Sequence, residues 1–383
     1  MVVQFEDWID IEILHTNFCR LYPMRCKRHL YHTFLSFLLL AFIAPILKGQ
    51  DAQFSQFYAN PLYLNPALAG SHSGTYRVMM SYRNQWSGPL ENPFVSYSAG
   101  GDIKFNLRNS QGSYTTGNDV VAVGVQFFSD RVNQFDYDIN HLAFYGAYHK
   151  MLNPKTNQYL SGGIQFALGQ RGINYEDVTF QDQFNGVDQF NFPTQESLPA
   201  NSIAYPDLAI GLHYSVQPKP DQGFYFGLSY FHWNRPNVSL FNRDQRFEEQ
   251  YGPFELAPKL SVHGGMSLNR SDLLAIQPRV IYIQQGQAAT VIAGSNLKYR
   301  MVDSDGVAFH LGGWIRASDN ITTFQPTDLI ISGAYERNGL QIGISYDYSL
   351  RSFTNNRFGN GTFELSISYI GEHESANNIC PDF

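Results

Sequence analysis

The chain has 383 residues and a formal net charge of −7, with 33 acidic against 26 basic side chains and no Lys/Arg cluster. That balance excludes a nucleic-acid binder, since phosphate contacts rest on concentrated positive charge. Aromatic residues reach 15%, with 24 Tyr, beside only 15% charged residues and a mean hydropathy of −0.27; this excludes a bundle of apolar membrane helices, yet is rich in the residues that collect at membrane interfaces.

The first feature in chain order is the one continuous apolar run, residues 34–47, preceded by Arg25, Lys27 and Arg28 and ending at Lys48-Gly49-Gln50. It is too short to span a bilayer. A basic flank, an apolar core and a small residue before the junction read as a secretory signal peptide cleaved between Gly49 and Gln50. Residues 1–23 carry Glu6, Asp7, Asp10 and Glu12, the wrong charge for a leader's start, so Met24 is the expected initiator and residues 1–49 an upstream extension plus signal. Cleavage there removes Cys19 and Cys26 and leaves only Cys380, which excludes an intramolecular disulfide in the exported chain.

Residues 50–73 follow, with no strand alternation and two Asn-Pro pairs, Asn60-Pro61 and Asn65-Pro66, which favour turns. They read as an irregular periplasmic, plug-like segment with apolar anchors, entering the periplasmic mouth ahead of the first strand.

From residue 74 to 371 the apolar and polar residues alternate in stretch after stretch. The spacing predicts strands around residues 76–82, 95–105, 121–127, 142–148, 159–168, 208–216 and 224–230. It continues with 260–268, 273–283, 290–301, 307–316, 329–336, 340–349 and 363–370. The clearest places Leu340, Ile342, Ile344, Tyr346 and Tyr348 on one parity against Gln341, Gly343, Ser345 and Asp347 on the other. A period of two is a strand with one apolar and one polar face. About 14 such strands, each long enough to cross a bilayer at a tilt, predict an all-β transmembrane antiparallel β-barrel, apolar outside and polar within. Arg77, Arg83, Asp102, Lys104, Gln126, His213, Gln341, Ser345 and Asp347 fall on the inward parity. A barrel of that size encloses more space than side chains fill, so water, a plug or a guest polypeptide must occupy it.

An even strand count puts both barrel ends on the periplasmic side. Tight, turn-rich links are expected there, at residues 153–158, 217–222, 269–272, 303–306 and 337–339. Long segments, 172–204 and 235–257, with 317–327 and 351–361 of middle length, fall on the outer side; a short outer link, 87–93, and a long inner one, 106–118, break the pattern, and the parity still favours this orientation. Residues 372–383 form a periplasmic tail. No Walker loop, dinucleotide fingerprint, paired-cysteine site, nucleophile elbow or HExxH is present, so no catalytic residue, cofactor or metal is assigned and an enzyme is not expected. Glu372-His373-Glu374 and the loop carboxylates Asp177, Asp182, Asp188 and Glu196 read as solvated charges.

The N-terminal segment closely resembles the start of the PorP/SprF family of type IX secretion system membrane proteins of Bacteroidota. The resemblance rests on Phe54-Ser55-Gln56-Phe57-Tyr58, Asn60-Pro61-Leu62, Leu64-Asn65-Pro66-Ala67 and Gly70, then Tyr82-Arg83-Asn84-Gln85-Trp86, and near the other end Ile344-Ser345-Tyr346-Asp347-Tyr348. It implies a bacterial outer-membrane barrel working with type IX components. Some members serve the core apparatus; others accompany a large secreted adhesin, as in gliding motility, and help export it or hold it at the surface. The second role is the one expected here. Phe54, Ser55, Gln56, Tyr58, Asn60, Pro61, Asn65, Pro66, Gly70, Arg83, Gln85 and Trp86 are the candidate plug or partner contacts. The strands alone are also compatible with a passive channel or hydrophobic-solute transporter, or with a secreted soluble β protein.

Overall fold

A computed structural model describes residues 50–86, 93–107, 119–132, 136–175, 178–196, 198–241, 254–302, 306–320, 323–350 and 361–372. The leader with Gly49, and all three cysteines, lie outside these residues, as do Asp177, His373 and Glu374.

Fourteen antiparallel strands close on themselves: β1 (Tyr76–Gln85), β2 (Phe94–Asn106), β3 (Val120–Val132), β4 (Tyr137–Asn153), β5 (Gln158–Ile173), β6 (Ser202–Lys219), β7 (Gln222–Phe231), β8 (Lys259–Asn269), β9 (Leu274–Gln285), β10 (Ala288–Arg300), β11 (Val307–Asn320), β12 (Thr323–Arg337), β13 (Leu340–Ser349) and β14 (Thr362–Gly371). Each pairs with its sequence neighbours, and β1 closes on β14 from Tyr76↔Gly371 to Gln85↔Thr362. The predicted barrel is thus the observed one. No sheet edge is left open, which a wall facing hydrocarbon requires, because lipid cannot satisfy a free N–H or C=O.

The alternation sorts by face as the period-two pattern predicts. Val78, Met80, Val123, Val125, Phe144, Ile164, Phe166, Ile210, Leu311, Ile331 and Ile344 are exposed on the outside, while Arg77, Arg83, Asp102, Lys104, Gln126, His213, Ser345 and Asp347 are buried inside. Aromatic pairs lie near both ends of the strands. Tyr76 lies 6.1 Å from Tyr369 and Phe309 lies 5.5 Å from Tyr335 near the end where the barrel begins and finishes. Tyr82 and Tyr97, 5.6 Å apart, lie towards the other. A ten-residue strand rises about 34 Å and, tilted by about 40°, covers roughly the height of an outer-membrane apolar band.

Strands run beyond the sequence reading at both ends, β4 to Asn153 and β6 to Lys219 on the proximal side and further on the distal side. Residues 317–320 and 323–327, expected as part of a loop, are strand: β11 runs on to Asn320 and β12 starts at Thr323, with a register shift at Arg316/Ala317 opposite Pro326 and Asp328. Pro326 lacks the N–H a continuous ladder needs, and the bulge absorbs it. β4 and β6 likewise begin earlier than predicted. Strands that continue beyond the hydrocarbon have no lipid to select apolar residues, so the alternation fades before the ladder does.

Residues 50–75 occupy the lumen. They contain a 3₁₀ turn (Phe57–Ala59), one α-helical turn (Pro61–Leu64) and a second 3₁₀ turn (Pro66–Leu68). Each Asn-Pro pair starts a helical turn with proline at its first position, where the missing N–H costs nothing. Asp51 bonds Gln285, His232 and Lys259 at one end of the barrel. His72 bonds Lys104 near the other, where Tyr76 and Gly371 lie. The segment therefore does not simply enter at the mouth where β1 starts, as expected: it threads the lumen from the distal to the proximal end and turns into β1. Its route is set by hydrogen-bonding groups on the wall that no local pattern reveals.

Candidate functional site

Three levels of contact hold the plug. At the distal level Glu364 Oε1 and Oε2 accept the Ser55 backbone N–H at 2.8 and 3.0 Å, and Oε2 also accepts that of Gln56 at 2.9 Å. Arg83 pairs with Glu364 at 3.2 Å. Ser55 Oγ donates to Asp347 at 2.5 Å, accepts from Arg316, and Arg316 pairs with Asp347 at 2.9 Å. Gln56 joins β13 and β14 by donating to Ser345 at 3.2 Å and accepting from Ser366 at 2.8 Å. These charges are buried but paired and hydrogen-bonded, the condition under which burial is tolerated.

Midway, Asn60 donates to Ser98 at 2.9 Å and accepts from Gln126 at 2.6 Å, and Gln126 accepts from Tyr145 at 2.8 Å. Asn65 caps Ala67 N–H at 2.9 Å and donates to the Leu212 and Leu228 carbonyls at 2.9 and 3.3 Å. Its turn rests on a patch of bare backbone: a Cβ on Gly163 or Gly211 would overlap Pro66-Ala67 or the Asn65 amide. Two dry layers flank this level. One contains Leu62, Met79, Ala122, Ala143 and Tyr145; the other Phe57, Leu64, Leu68, Ile281, Ile292, Trp314 and Ile330. Tyr58 stacks on Trp314 at 5.4 Å.

At the proximal level Asp102 accepts the Gly70 N–H at 2.5 Å and binds Arg77 at 2.8 and 2.9 Å, while Arg77 also donates to the Leu68 carbonyl at 3.0 Å. Gly70 has φ +77°, and a Cβ there would collide with Ala122, so both conformation and space call for glycine. His149 lies 2.7 Å from the Ala69 carbonyl. Burial, with Arg77 and Lys104 nearby, pushes the His72 imidazole down to about 2, so it stays neutral.

A latch fixes the distal start of the plug. His232, just past β7, places Nε2 2.9 Å from Asp51 and Nδ1 3.0 Å from both Asp207 oxygens. Burial would lower its pKa, but Asp51 and Asp207 prevail and raise it to about 9. Burial alone would raise the Asp51 carboxyl; Lys259, at 2.6 Å, and His232 hold it well below the usual range. A folded-state pKa above the unfolded value contributes stability fully present below about 6.5 and lost as pH climbs through about 9, on the order of 3 kcal/mol. Chymotrypsin cleavage at Phe54, or amide-exchange protection factors over residues 51–54, should therefore report a fixed plug start at pH 6 whose protection falls as pH climbs from about 6.5 to about 9, and His232→Gln should remove that pH dependence. A flat profile in the native protein refutes the latch.

Among the sequence candidates, Phe54, Ser55, Gln56, Tyr58, Asn60, Pro61, Asn65, Pro66 and Gly70 belong to the plug, and Arg83 meets it through Glu364. Gln85 and Trp86 stand apart at the distal rim, where Trp86 packs edge-on against Phe94 at 5.4 Å. Gln50, the expected new N-terminus, is exposed. Sequence reading missed Glu364, Arg316, His232, Asp207 and Lys259. Glu364 could have been found as a carboxylate between outward-facing Phe363 and Leu365 on a predicted strand. In the long distal segment, Phe184 and Phe190 form a bridged pair with ring centroids 5.1 Å apart.

The family model described as type IX secretion system membrane protein PorP/SprF matches residues 46–369. No curated protein matches the sequence. Solved structures similar to this chain include the Pseudomonas putida toluene transporter TodX, with TM-score 0.46, 8% identity and coverage of 84% of this chain and 98% of that one. The Ralstonia pickettii toluene transporter TbuX has TM-score 0.45, 10% identity and coverage of 86% and 98%. The CymD monoaromatic hydrocarbon channel has TM-score 0.45, 10% identity and coverage of 85% and 96%.

Proposed function

Because the chain belongs to the PorP/SprF family of type IX secretion system membrane proteins, we propose that this outer-membrane barrel assists export or surface retention of a partner secreted protein such as a large adhesin. It does so by protein recognition rather than catalysis. The observation that carries this reading is the plug. Residues 50–75 run the length of the lumen, bonded to strands around its circumference and sealed by two dry layers. A strand-bonded plug of this kind opposes free passage of solutes. Recognition surfaces remain at its two ends, the proximal end facing the periplasm by the rule that short turns lie inside and long loops outside.

Affinity purification of the full-length protein from gently solubilised envelopes tests the proposal. A type IX component or a large coexported surface protein should copurify, and deleting the barrel should deplete that surface protein from intact cells. Purification with neither partner, together with normal surface display in the deletion strain, overturns it. The rival reading, a passive channel or hydrophobic-solute transporter, requires a steady current or solute flux through the native protein in planar bilayers.

A further inference from the structure

At the proximal end the plug does not fill the barrel. A cavity of about 510 Å³ lies between Tyr58–Pro61, Ser71–Ser73 and the proximal parts of β9 to β14, and a neighbouring one of about 250 Å³ shares Ser71, Gln277, Arg279 and Lys298 with it. Together they form a vestibule bordered by the short Asn338-Gly339 turn.

Its cations are not equivalent. Arg77 is neutralised by Asp102 at 2.8 Å, and Lys298 by Glu336 at 2.7 Å, which also takes His310 at 2.8 Å. Arg279 is only 8% exposed, yet no carboxylate among the described residues pairs with it. Its Nη2 donates to Gln277 at 3.3 Å, its guanidinium lies 4.8 Å from the centre of the Tyr58 ring and it also interacts with the neutral Tyr225 hydroxyl, while Nε and Nη1 meet no partner in hydrogen-bonding geometry among the described residues. The buried Asn296 Oδ1 beside this space also lacks a donor. A buried guanidinium without a counter-charge is costly, and its fork of N–H groups matches a planar carboxylate.

We infer that the vestibule is a binding site for a carboxylate-bearing peptide segment, anchored on Arg279 and entering from the periplasmic end. Arg300, the vestibule's other cation without a carboxylate partner among the described residues, borders only the smaller cavity and is tied to the Asp272 carbonyl and Asn269 at 3.3 and 3.4 Å; Arg279 is the buried one, and a single planar carboxylate matches its fork, with phosphate binding an outcome of the test. Amides of Gln277, Asn296, Asn338 and Gln341 line the rest, groups that pair with peptide N–H and C=O. The inference rests on the reading that this barrel's partners are proteins, and it names where and by what chemistry one of them is held.

Isothermal titration of the full-length protein in detergent tests it, with N-acetyl-Gly-Gly-Glu-amide, its Gln counterpart and inorganic phosphate as probes. The Glu peptide should bind saturably and the Gln peptide at least tenfold more weakly, with no saturation by phosphate over the same range. Arg279→Gln should weaken the Glu peptide at least tenfold, and Arg279→Lys should retain part of the affinity. Equal affinity for the two peptides, unchanged affinity in Arg279→Gln, or saturation by phosphate alone overturns the site. If Arg279→Gln does not fold, the Glu/Gln discrimination by the native protein decides. The two readings fail separately. Peptide binding that is lost in Arg279→Gln without any change in surface display leaves the site standing and severs it from secretion; partner copurification without peptide binding does the reverse.

Discussion

Replacing Gly211 by valine should turn an ion-tight barrel into a conducting one. Gly211 on β6 faces the Asn65 side chain so closely that even a Cβ would overlap its amide oxygen. A branched side chain there must push the Asn65-Pro66-Ala67 turn off the wall, breaking the Asn65 bonds to the Leu212 and Leu228 carbonyls. Overpacking of this kind costs about 1–3 kcal/mol, and each broken bond to a buried carbonyl adds about 1 kcal/mol. The barrel itself, closed by strand pairs that do not involve the plug, survives. The native protein in planar bilayers should be nearly silent, since the plug packs apolar side chains against the wall around Leu62 and Trp314, whereas the variant should show steady current. Gly313→Ala is the control, because nothing lies within 4 Å of a Cβ there. A variant as silent and as heat-resistant as the native chain would mean the plug does not depend on this seat.

The second large effect is expected at Glu364. Its carboxylate, in a residue 2% exposed, receives the Ser55 and Gln56 backbone N–H groups and Arg83. Glu364→Ala leaves a buried guanidinium and two buried N–H groups without that acceptor, a change expected to cost about 3–5 kcal/mol. Glu364→Gln keeps the volume and one acceptor and should lose less. Chemical unfolding in micelles measures the cost, and limited proteolysis within residues 50–60 reports whether the distal half of the plug has come free. If alanine costs under about 1 kcal/mol and the plug stays protected, this carboxylate is not what holds it.

How far the sequence could be read depended on which solvent each residue meets. Leu340, Ile342, Ile344, Tyr346 and Tyr348 announced their strand because hydrocarbon demands an apolar group at every second position, and all fourteen strands were legible for the same reason. Ser202 and Thr323 did not announce theirs: those strands extend into water, which imposes no such demand. Asp102, Arg77 and Gln126 were recognisable as inward-facing from parity, but not as partners of Gly70, Leu68 and Asn60. The family motif identified the plug residues as a group. Its phenylalanines and Asn-Pro pairs did not reveal that the segment starts near His232 at the distal rim and descends past Trp314 to Lys104.

By itself, then, the sequence determined an apolar-outside, polar-inside cylinder of fourteen strands and the family to which it belongs, because periodicity is a local property that lipid enforces residue by residue. Tertiary structure alone decided the direction of the plug, the glycine seat that receives Asn65, the Asp51–His232–Asp207 latch, and the buried Arg279 in the proximal vestibule. Each of these depends on which residues, often more than a hundred positions apart, come together across the lumen when β1 closes on β14.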